Sequence, residues 1–398
     1  MAKTEKTEKI SLAGWLIEKI DTKDWRIGKV TGVKHPKVQQ RDIDRIGKRE
    51  LLEQAMEMQE AGLLTIHWLQ YGNDIAYLDV PVESMEGFCQ REGIENPRSL
   101  LQKACEELKQ WKEKAPSDWH KEYYDDLLMR TEKGNIPAEM QDTKLFQILN
   151  AIYDKEKTIW KRVFSAEVLD NSKEFETKYQ RRIVTILRNY APIPDKEMEE
   201  DEILAEFGIL TYSQRLEWKG AVRCLVADEK AGINYKIDTS NWSYGYVMNA
   251  QSLEHAKPLE LPGVRRIVTI ENKANYESMS YNPEVLYIFC HGFFSPKERR
   301  FLKKLSEIAE KEVEFYHWSD MDYGGIRIFQ FMRKRIFPEI RPMHMSLEEY
   351  EKAVQTGKGI ALTAEKREKL KQMEAGILEE LKQKILEKGI EIEQELLL

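Results

Sequence analysis

The sequence predicts a multidomain α+β protein whose C-terminal region is an α/β domain built on a parallel sheet. Its 398 residues are enough for two or three domains with substantial cores. The first third of the chain combines helical periodicity with two adjacent strand patterns. The final third alternates short, nearly continuous apolar runs with amphipathic helical patterns, which is typical of buried parallel strands joined by helices.

Composition excludes several classes of protein. Apolar residues make up 41% of the chain and charged residues 33%, as in an ordinary globular protein. The net charge of −7 means that any binding of nucleic acid must depend on local basic patches. No apolar stretch approaches the ~18 residues that span a bilayer, and the N-terminal MAKTEKTEKI lacks the apolar core of a secretory signal. The four cysteines have no zinc-site or disulfide-framework spacing, so we expect a cytoplasmic protein without membrane association.

The N-terminal region has the element order of a winged helix. Residues 41–60 place apolar side chains at helical spacing, which predicts one helix that ends at Ala61-Gly62. Strand patterns follow at 63–70 and 74–80, joined by a tight turn at 71–73. The same order serves DNA binding and protein–protein contacts, so it does not by itself assign a function to this region.

A basic segment in the middle of the chain is a candidate for contact with DNA phosphates. Ser172-Lys173 leads into a predicted helix that carries four basic side chains, Lys178, Arg181, Arg182 and Arg188. A cluster of basic residues on one helix can neutralise phosphates. A solvated helix face has the same pattern, so both interpretations stay open.

Three carboxylates follow predicted parallel strands in the final third. Glu271 ends the run IVTIE, and Asp320 and Asp322 follow EFYHW. In an open α/β sheet, ligands and reactive groups gather outside the carboxyl ends of the strands. Acids that converge there repel one another unless a cation is present, and carboxylate oxygens suit Mg²⁺ or Mn²⁺. The alternative is that each acid is only a helix N-cap or a surface residue.

Glycines and histidines surround these acids in the sequence. Gly324-Gly325 would let the chain turn sharply from the last strand into a helix, and Gly292 ends the run VLYIFCHG. His291 and His317 have no partner spacing that suggests a metal ligand, so we expect both to be structural. The chain contains neither a P-loop nor a GxGxxG pattern, so we expect no nucleotide cofactor.

Three predicted strands end, in order, at a glutamate, a glycine and an Asp-x-Asp pair, and a predicted helix follows each strand. This order is similar to the motif order of a toprim domain. The strings RRIVTIENKANYES, PEVLYIFCHGFFSPKERRFLKKL and EFYHWSDMDYGGIRIFQFMRKRIFP resemble the C-terminal domain of the JetD family, the nuclease subunits of Wadjet plasmid-defence systems. Upstream, FSAEVLDNSKEFE and EILAEFGI resemble the middle region of that family, and IEIEQELLL resembles its terminal segment. The resemblance covers roughly the C-terminal 60% of the chain. Ser319 departs from the pattern, because many members have Gly there.

This resemblance implies a domain layout and a site. The family is similar to the A subunit of topoisomerase VI, which implies an N-terminal arm over residues 1–155, a CAP-like winged-helix domain over 156–256 that binds DNA and dimerises, and a toprim domain over 257–398. Metal-binding roles carry over to Glu271, Asp320 and Asp322, and site-shaping roles to the three glycines. The resemblance also implies metal roles for Glu393 and Glu395, although a charged chain end has the same pattern. Lys273 is a candidate phosphate contact, with a surface lysine as the alternative.

The implied activity is metal-dependent cleavage of double-stranded DNA by a homodimer. The implied partners are closed circular DNA and an SMC-type motor complex of ATPase, kleisin and winged-helix subunits. Activated water is the expected nucleophile, because the family lacks the tyrosine of the topoisomerase. The alternatives are a topoisomerase-type or meiotic-break-type transesterase that uses Tyr179, Tyr190 or Tyr212, and a non-catalytic DNA-binding subunit.

Overall fold

The computed structural model describes residues 9–69, 74–153, 158–211 and 213–397 of the chain. Within these ranges it contains eighteen α-helices and sixteen strands, so the predicted α+β class is confirmed. The chain divides into two compact units, residues 1–153 and 154–398. The predicted domain boundaries at residues 155 and 256 stay predictions. The turn predicted at 71–73 lies outside the described residues.

The first unit combines helices with one small antiparallel sheet in the order β1-β3-β2. Its strands are β1 (Val33–Lys34), β2 (Thr65–Trp68) and β3 (Ile75–Pro81). Its helices are α1 (Leu12–Ile20), α2 (Lys23–Arg26), α3 (Gln40–Ile46), α4 (Lys48–Glu60), α5 (Met85–Glu92), α6 (Pro97–Glu113), α7 (Asp118–Glu132) and α8 (Lys144–Ala151).

The single helix predicted over 41–60 is two helices in the structure. Gly47 separates α3 from α4 with a φ of 95°, a backbone conformation that favours glycine. The break lets both helices pack on the same core as α1, where Trp15 is fully buried and its indole N–H donates to Asp42 at 2.9 Å. Apolar periodicity continues across the break, so it did not indicate the change of direction.

The second unit carries the predicted parallel strands. Its helices are α9 (Lys161–Leu169), α10 (Gln180–Tyr190), α11 (Glu200–Glu206), α12 (Ala250–His255), α13 (Lys273–Ser278), α14 (Pro296–Ile308), α15 (Tyr323–Arg335), α16 (Leu347–Gln355), α17 (Ala364–Gln372) and α18 (Glu379–Lys388). Its strands are β4 (Ile159–Trp160), β5 (Ile209–Leu210), β6 (Arg215–Lys219), β7 (Arg223–Asp228), β8 (Ile233–Asp238), β9 (Tyr246–Asn249), β10 (Ala256–Glu260), β11 (Arg266–Ile270), β12 (Val285–Phe289), β13 (Glu314–Trp318), β14 (Arg341–Pro342), β15 (Ile360–Ala361) and β16 (Ile390–Glu391).

A six-stranded mixed sheet organises this unit, in the order β14-β13-β11-β12-β6-β9. The first four strands pair in parallel, and β6 and β9 add antiparallel strands. Strands therefore come from both sides of residue 257. Four of the five residues of β11 are buried, which explains its continuous apolar sequence. A separate antiparallel sheet has the order β10-β7-β8.

The basic segment is interrupted by a turn that its sequence did not predict. Phe175–Tyr179 forms a π-helical turn that leads directly into α10. Such a turn changes the angular position of the side chains that follow relative to a continuous α-helix. Lys178 lies within this turn, and Arg181 and Arg182 lie after it on α10.

No described helix combines the length and the apolar composition that a bilayer crossing requires.

Leu286 tests how far the second unit depends on its central sheet. It is completely buried on β12, whereas Leu259 on β10 is 45% exposed. We expect Leu286→Ala to lower the free energy of unfolding by about 2–5 kcal/mol through lost burial and a cavity. Leu259→Ala is the matched control and should change stability by less than ~0.5 kcal/mol. Denaturant titration of both variants measures the difference, and equal losses would contradict this account of the core.

Candidate active site

Two of the predicted acids lie side by side because their strands are neighbours. Strands β11 and β13 pair in parallel, with Ile270 opposite Trp318. The backbone N–H of Glu271 donates to the carbonyl of Trp318 at 3.0 Å, which fixes the start of the Glu271 segment against the end of β13. Glu271 and Asp320 therefore share the carboxyl edge of the sheet, as their positions after the two strands predict.

The third acid, Asp322, caps the helix that follows. Its Oδ1 accepts a hydrogen bond from the backbone N–H of Gly325 at 2.8 Å, which satisfies one of the free donors at the start of α15. A Cβ on Gly325 would lie 2.0 Å from the carbonyl oxygen of Asp320, so no other residue fits there without moving the backbone. A Cβ on Gly324 would lie 3.3 Å from Asp322 Oδ1. Both glycines thus allow the acid-bearing turn to lie close against the helix.

Burial and mutual repulsion change the proton affinity of the acids. Burial, followed by the charges of Asp320 and Asp322, raises the pKa of Glu271 to about 8. Burial also raises the pKa of Asp320 to about 6, although its hydrogen bond from Gln394 opposes the increase. The Oε2 atom of Glu271 is buried and has no hydrogen-bond partner among the described residues. A buried carboxylate oxygen of this kind lacks the cation or hydrogen-bond donor that would normally stabilise its charge.

The C-terminal segment lies along the same edge. Met321 and Ile392 exchange backbone hydrogen bonds of 2.9 and 3.2 Å, which fixes the segment next to the acids. The backbone N–H of Gln394 donates to Asp320 Oδ1 at 2.7 Å, and its side-chain oxygen accepts from the backbone N–H of Asn272 at 3.0 Å. The segment therefore connects the residues that follow β11 with those that follow β13.

Glu393 and Glu395 are exposed acids on this segment. Their negative charges act on Asp320, and Glu395 also accepts a hydrogen bond from the side-chain amide of Asn272. Sequence reasoning singled out these two acids and missed Gln394, the fully buried residue between them. No local signal marks Gln394, because Gln394–Leu397 forms a 3₁₀ turn rather than an extended segment with two alternating faces.

Lys366 is a second residue that the motifs did not indicate. Its ammonium nitrogen lies 3.1 Å from Asp322 Oδ2 and 3.0 Å from Glu391 Oε2. It belongs to α17 and lies 44 residues beyond Asp322 in the chain. Only the tertiary fold brings this cation to the acids, so no local pattern could have found it.

The end of β12 contributes glycine and histidine. Gly292 has a φ of 121°, in the region that favours glycine, and a Cβ there would lie 3.2 Å from Glu202 Oε1. The His291 Nε2 atom lies 3.1 Å from the fully buried Glu298. Burial opposes the charged form of His291, but the hydrogen bond and charge of Glu298 outweigh it and raise the pKa of the imidazole.

His317 lies inside the sheet rather than at its edge. It is fully buried on β13, with Nδ1 2.8 Å from the Thr269 hydroxyl, and burial lowers its pKa to about 3. A neutral ring enclosed in this way serves packing.

The predicted DNA-contacting side chains differ in how freely they can meet a phosphate. Lys273 lies next to Asn272, but its ammonium pairs with Glu217 at 2.6 Å and Glu277 at 3.0 Å and contacts the rings of Tyr276 and Phe289. Lys178 pairs with Glu174 at 3.2 Å, whereas Lys173 and Arg181 are exposed and Arg182 is half-buried. Within the described part of the chain, no hydrogen bond or ion pair connects these last four residues to the acids.

The tyrosines proposed for a covalent mechanism are not equivalent. Tyr179 is 4% exposed at the end of the π-helical turn, and Tyr190 ends α10. Tyr212 lies outside the described residues.

The acids provide the donor chemistry that Mg²⁺ or Mn²⁺ prefers. The candidate ligands are carboxylate oxygens, and Glu271 Oε2 is buried without a partner. Within the described part of the chain, no three His, Cys, Asp or Glu side chains already stand in a metal-holding arrangement. The acid set therefore fits a divalent cation in chemistry and charge, and ligation requires the side chains to rotate toward a common point.

Two comparisons with known proteins address the origin of this arrangement. Residues 226–398 match the family model described as "Wadjet protein JetD, C-terminal". The chain is also 30% identical over 250 residues to the Wadjet protein JetD of Bacillus cereus (strain Q1), an alignment that covers 60% of this chain. The match spans 58% of the length of that relative. All three acids, the three glycines and the C-terminal segment lie inside the matched residues, so the resemblance predicted from the motifs is confirmed: residues 226–398 are similar to the C-terminal domain of JetD proteins.

Proposed function

We propose that this protein is the metal-dependent DNA endonuclease subunit of a Wadjet-type defence system. The observation that carries the proposal is the juxtaposition of Glu271 and Asp320, with Asp322 two residues later, at the carboxyl edge of adjacent parallel strands. The repulsion that raises the pKa values of the first two acids disappears when a divalent cation lies between them. Similarity to the JetD C-terminal family model and to the Wadjet protein JetD of Bacillus cereus supports the assignment to a Wadjet system.

Each acid has a defined role in this proposal. Glu271, Asp320 and Asp322 would hold one or two Mg²⁺ or Mn²⁺ ions, and Glu393 and Glu395 would add negative charge near them. A bound ion of this kind polarises a phosphate and stabilises the leaving oxygen. The chain itself orients the ligands: Gln394 N–H fixes one oxygen of Asp320, and Gly325 N–H fixes one oxygen of Asp322.

Activated water is the proposed nucleophile. Tyr179 is almost completely buried, so its hydroxyl is poorly placed to attack a phosphate from solution. A covalent protein–DNA adduct on a denaturing gel would instead support the transesterase alternative and overturn this part of the proposal.

The proposed substrate is double-stranded DNA delivered by partner subunits. One chain provides one acid site, so cutting both strands at one place calls for a homodimer. The net charge of −7 gives the isolated protein little general attraction for DNA. An SMC-type motor complex that presents a strained circular duplex would overcome this weak attraction, as the family resemblance implies.

Substituting the acids tests the site directly. We expect Glu271→Gln, Asp320→Asn and Asp322→Asn each to lower plasmid cleavage in Mn²⁺ at least ~100-fold, since even the partners of metal ligands are commonly worth ~10–100-fold. Glu312→Gln, at an exposed acid before β13, is the matched control and should cut normally. Plasmid conversion with the partner subunits present measures the rates. Normal cutting by two of the three variants would contradict the site, and a wild type that binds DNA without cutting it would favour the non-catalytic alternative.

The raised pKa values predict how the stability of the metal-free protein depends on pH. The folded-state pKa of about 8 for Glu271 exceeds its ordinary value of 4.5, so the folded protein binds more protons than the unfolded chain between these values. The contribution of this group to stability is complete below pH 4.5 and is lost as the pH rises through 8. We therefore expect melting temperatures in EDTA to fall more steeply with pH in the wild type than in Glu271→Gln.

Glu312→Gln is again the control and should follow the wild type across this range. Parallel curves for the wild type and Glu271→Gln would contradict the buried, repelled carboxylate. Added Mn²⁺ should stabilise the wild type more at pH 8 than at pH 6, because a metal ligand must be deprotonated.

The basic segment predicts a salt-dependent contribution to DNA binding. We expect one variant that combines Lys178→Gln, Arg181→Gln and Arg182→Gln to bind DNA more weakly. The slope of log affinity against log salt concentration should become shallower by ~0.9 for each phosphate contact that is lost. A triple variant of exposed lysines elsewhere, Lys311→Gln, Lys352→Gln and Lys371→Gln, changes the net charge equally and is the control. Fluorescence anisotropy at several salt concentrations measures both. Equal effects of the two triple variants would show that only total charge matters.

A further inference from the structure

The acid cluster contains a cation that no motif assigns. The Lys366 ammonium bridges Asp322 Oδ2 at 3.1 Å and Glu391 Oε2 at 3.0 Å. Glu391 is only 5% exposed, and its Oε1 atom has no partner among the described residues. A single lysine therefore neutralises one predicted metal ligand and one buried carboxylate at the edge of the site.

The position of Lys366 in its own helix is unfavourable for a cation. Helix α17 begins at Ala364, and the Thr363 hydroxyl caps it by accepting from the backbone N–H of Lys366. The ammonium therefore belongs to the first turn, where the partial positive charge of the helix repels cations. The helix gains nothing electrostatically from a lysine here, whereas the two carboxylates do.

The contact also limits what else can bind Asp322. Its Oδ1 accepts from Gly325, so Oδ2 is the oxygen left for a cation, and Lys366 lies against it. A divalent ion that binds Asp322 through Oδ2 must share this oxygen with the ammonium or displace it. Because the lysine side chain is 41% exposed on a flexible stem, it can leave Asp322 while Glu391 keeps it near the site.

We propose that Lys366 exchanges with the divalent ion at Asp322 and then contacts the scissile phosphate, which makes it a catalytic residue of the nuclease. This inference rests on the function proposed above. The ammonium would stabilise the negative charge that grows on the phosphate as the leaving oxygen departs, and the lysine neither gains nor loses a proton. Glu391 is then a positioning residue that holds the displaced ammonium within reach.

Binding of Mn²⁺ alone tests the exchange. We expect Lys366→Met to bind Mn²⁺ about tenfold more tightly than the wild type, because a competing positive charge has been removed. Lys371→Met, on the same helix but paired with Glu368 away from the acids, should bind as the wild type does. If Lys366→Met fails to fold, the double variant with Glu391→Gln keeps the net charge unchanged. This double variant should still bind Mn²⁺ more tightly than Glu391→Gln alone. Calorimetric titration of the full chain measures these affinities.

Cleavage at saturating Mn²⁺, with the partner subunits present, tests the phosphate contact. We expect Lys366→Met to lower the single-turnover rate at least about tenfold despite its tighter metal binding, and Lys366→Arg to recover part of the loss. If Lys366 were merely structural, Lys366→Met would weaken metal binding and cleavage together, and that result would overturn the inference. Normal cleavage by Lys366→Met would overturn it as well. Cleavage by Glu271→Gln and Asp320→Asn would instead overturn the proposed function, so the two failures are distinguishable.

Discussion

The repulsion between carboxylates at one edge of a parallel sheet is the constraint on which the second unit depends. Strands β11 and β13 must be neighbours to stabilise the core, and their register leaves Glu271 beside Asp320. Burial strengthens the repulsion, because little water reaches the acids to screen it. Several groups packed around this edge supply hydrogen-bond donors or positive charge.

Those donors come from three separate places in the chain. The backbone N–H groups of Gln394 and Gly325 each donate to a carboxylate, and the Lys366 ammonium adds a full charge. Backbone donors are fixed in position and cannot follow a ligand, whereas a lysine can. The site thus combines a rigid framework that aims the acids with one mobile charge, and this combination suits chemistry in which charge builds up and disperses during a reaction.

The sequence predicted the part of the site that is local. Glu271, Asp320 and Asp322 could be found because each follows an apolar run at a fixed distance, and Gly325 because a sharp strand-to-helix turn requires it. Lys366, Glu391 and Gln394 could not be found in this way, since Lys366 contacts Asp322 across 44 residues and Gln394 contacts Asp320 across 74. Glu391 is connected to the acids through Lys366. The break at Gly47 and the π-helical turn at Phe175–Tyr179 were missed for a different reason, because apolar periodicity tolerates one shifted residue.

The path of the C-terminal segment has a consequence for folding. Asn272 and Gln394 are joined across 122 residues, and Asp320 and Gln394 across 74. Contacts of such sequence separation form only after long loops have closed, so they depend on the cooperative folding of the whole unit. A chain that is partly folded, or clipped before residue 390, would still contain its three acids but would not hold them in an ordered array. The activity of such a site is therefore coupled to the integrity of the complete domain.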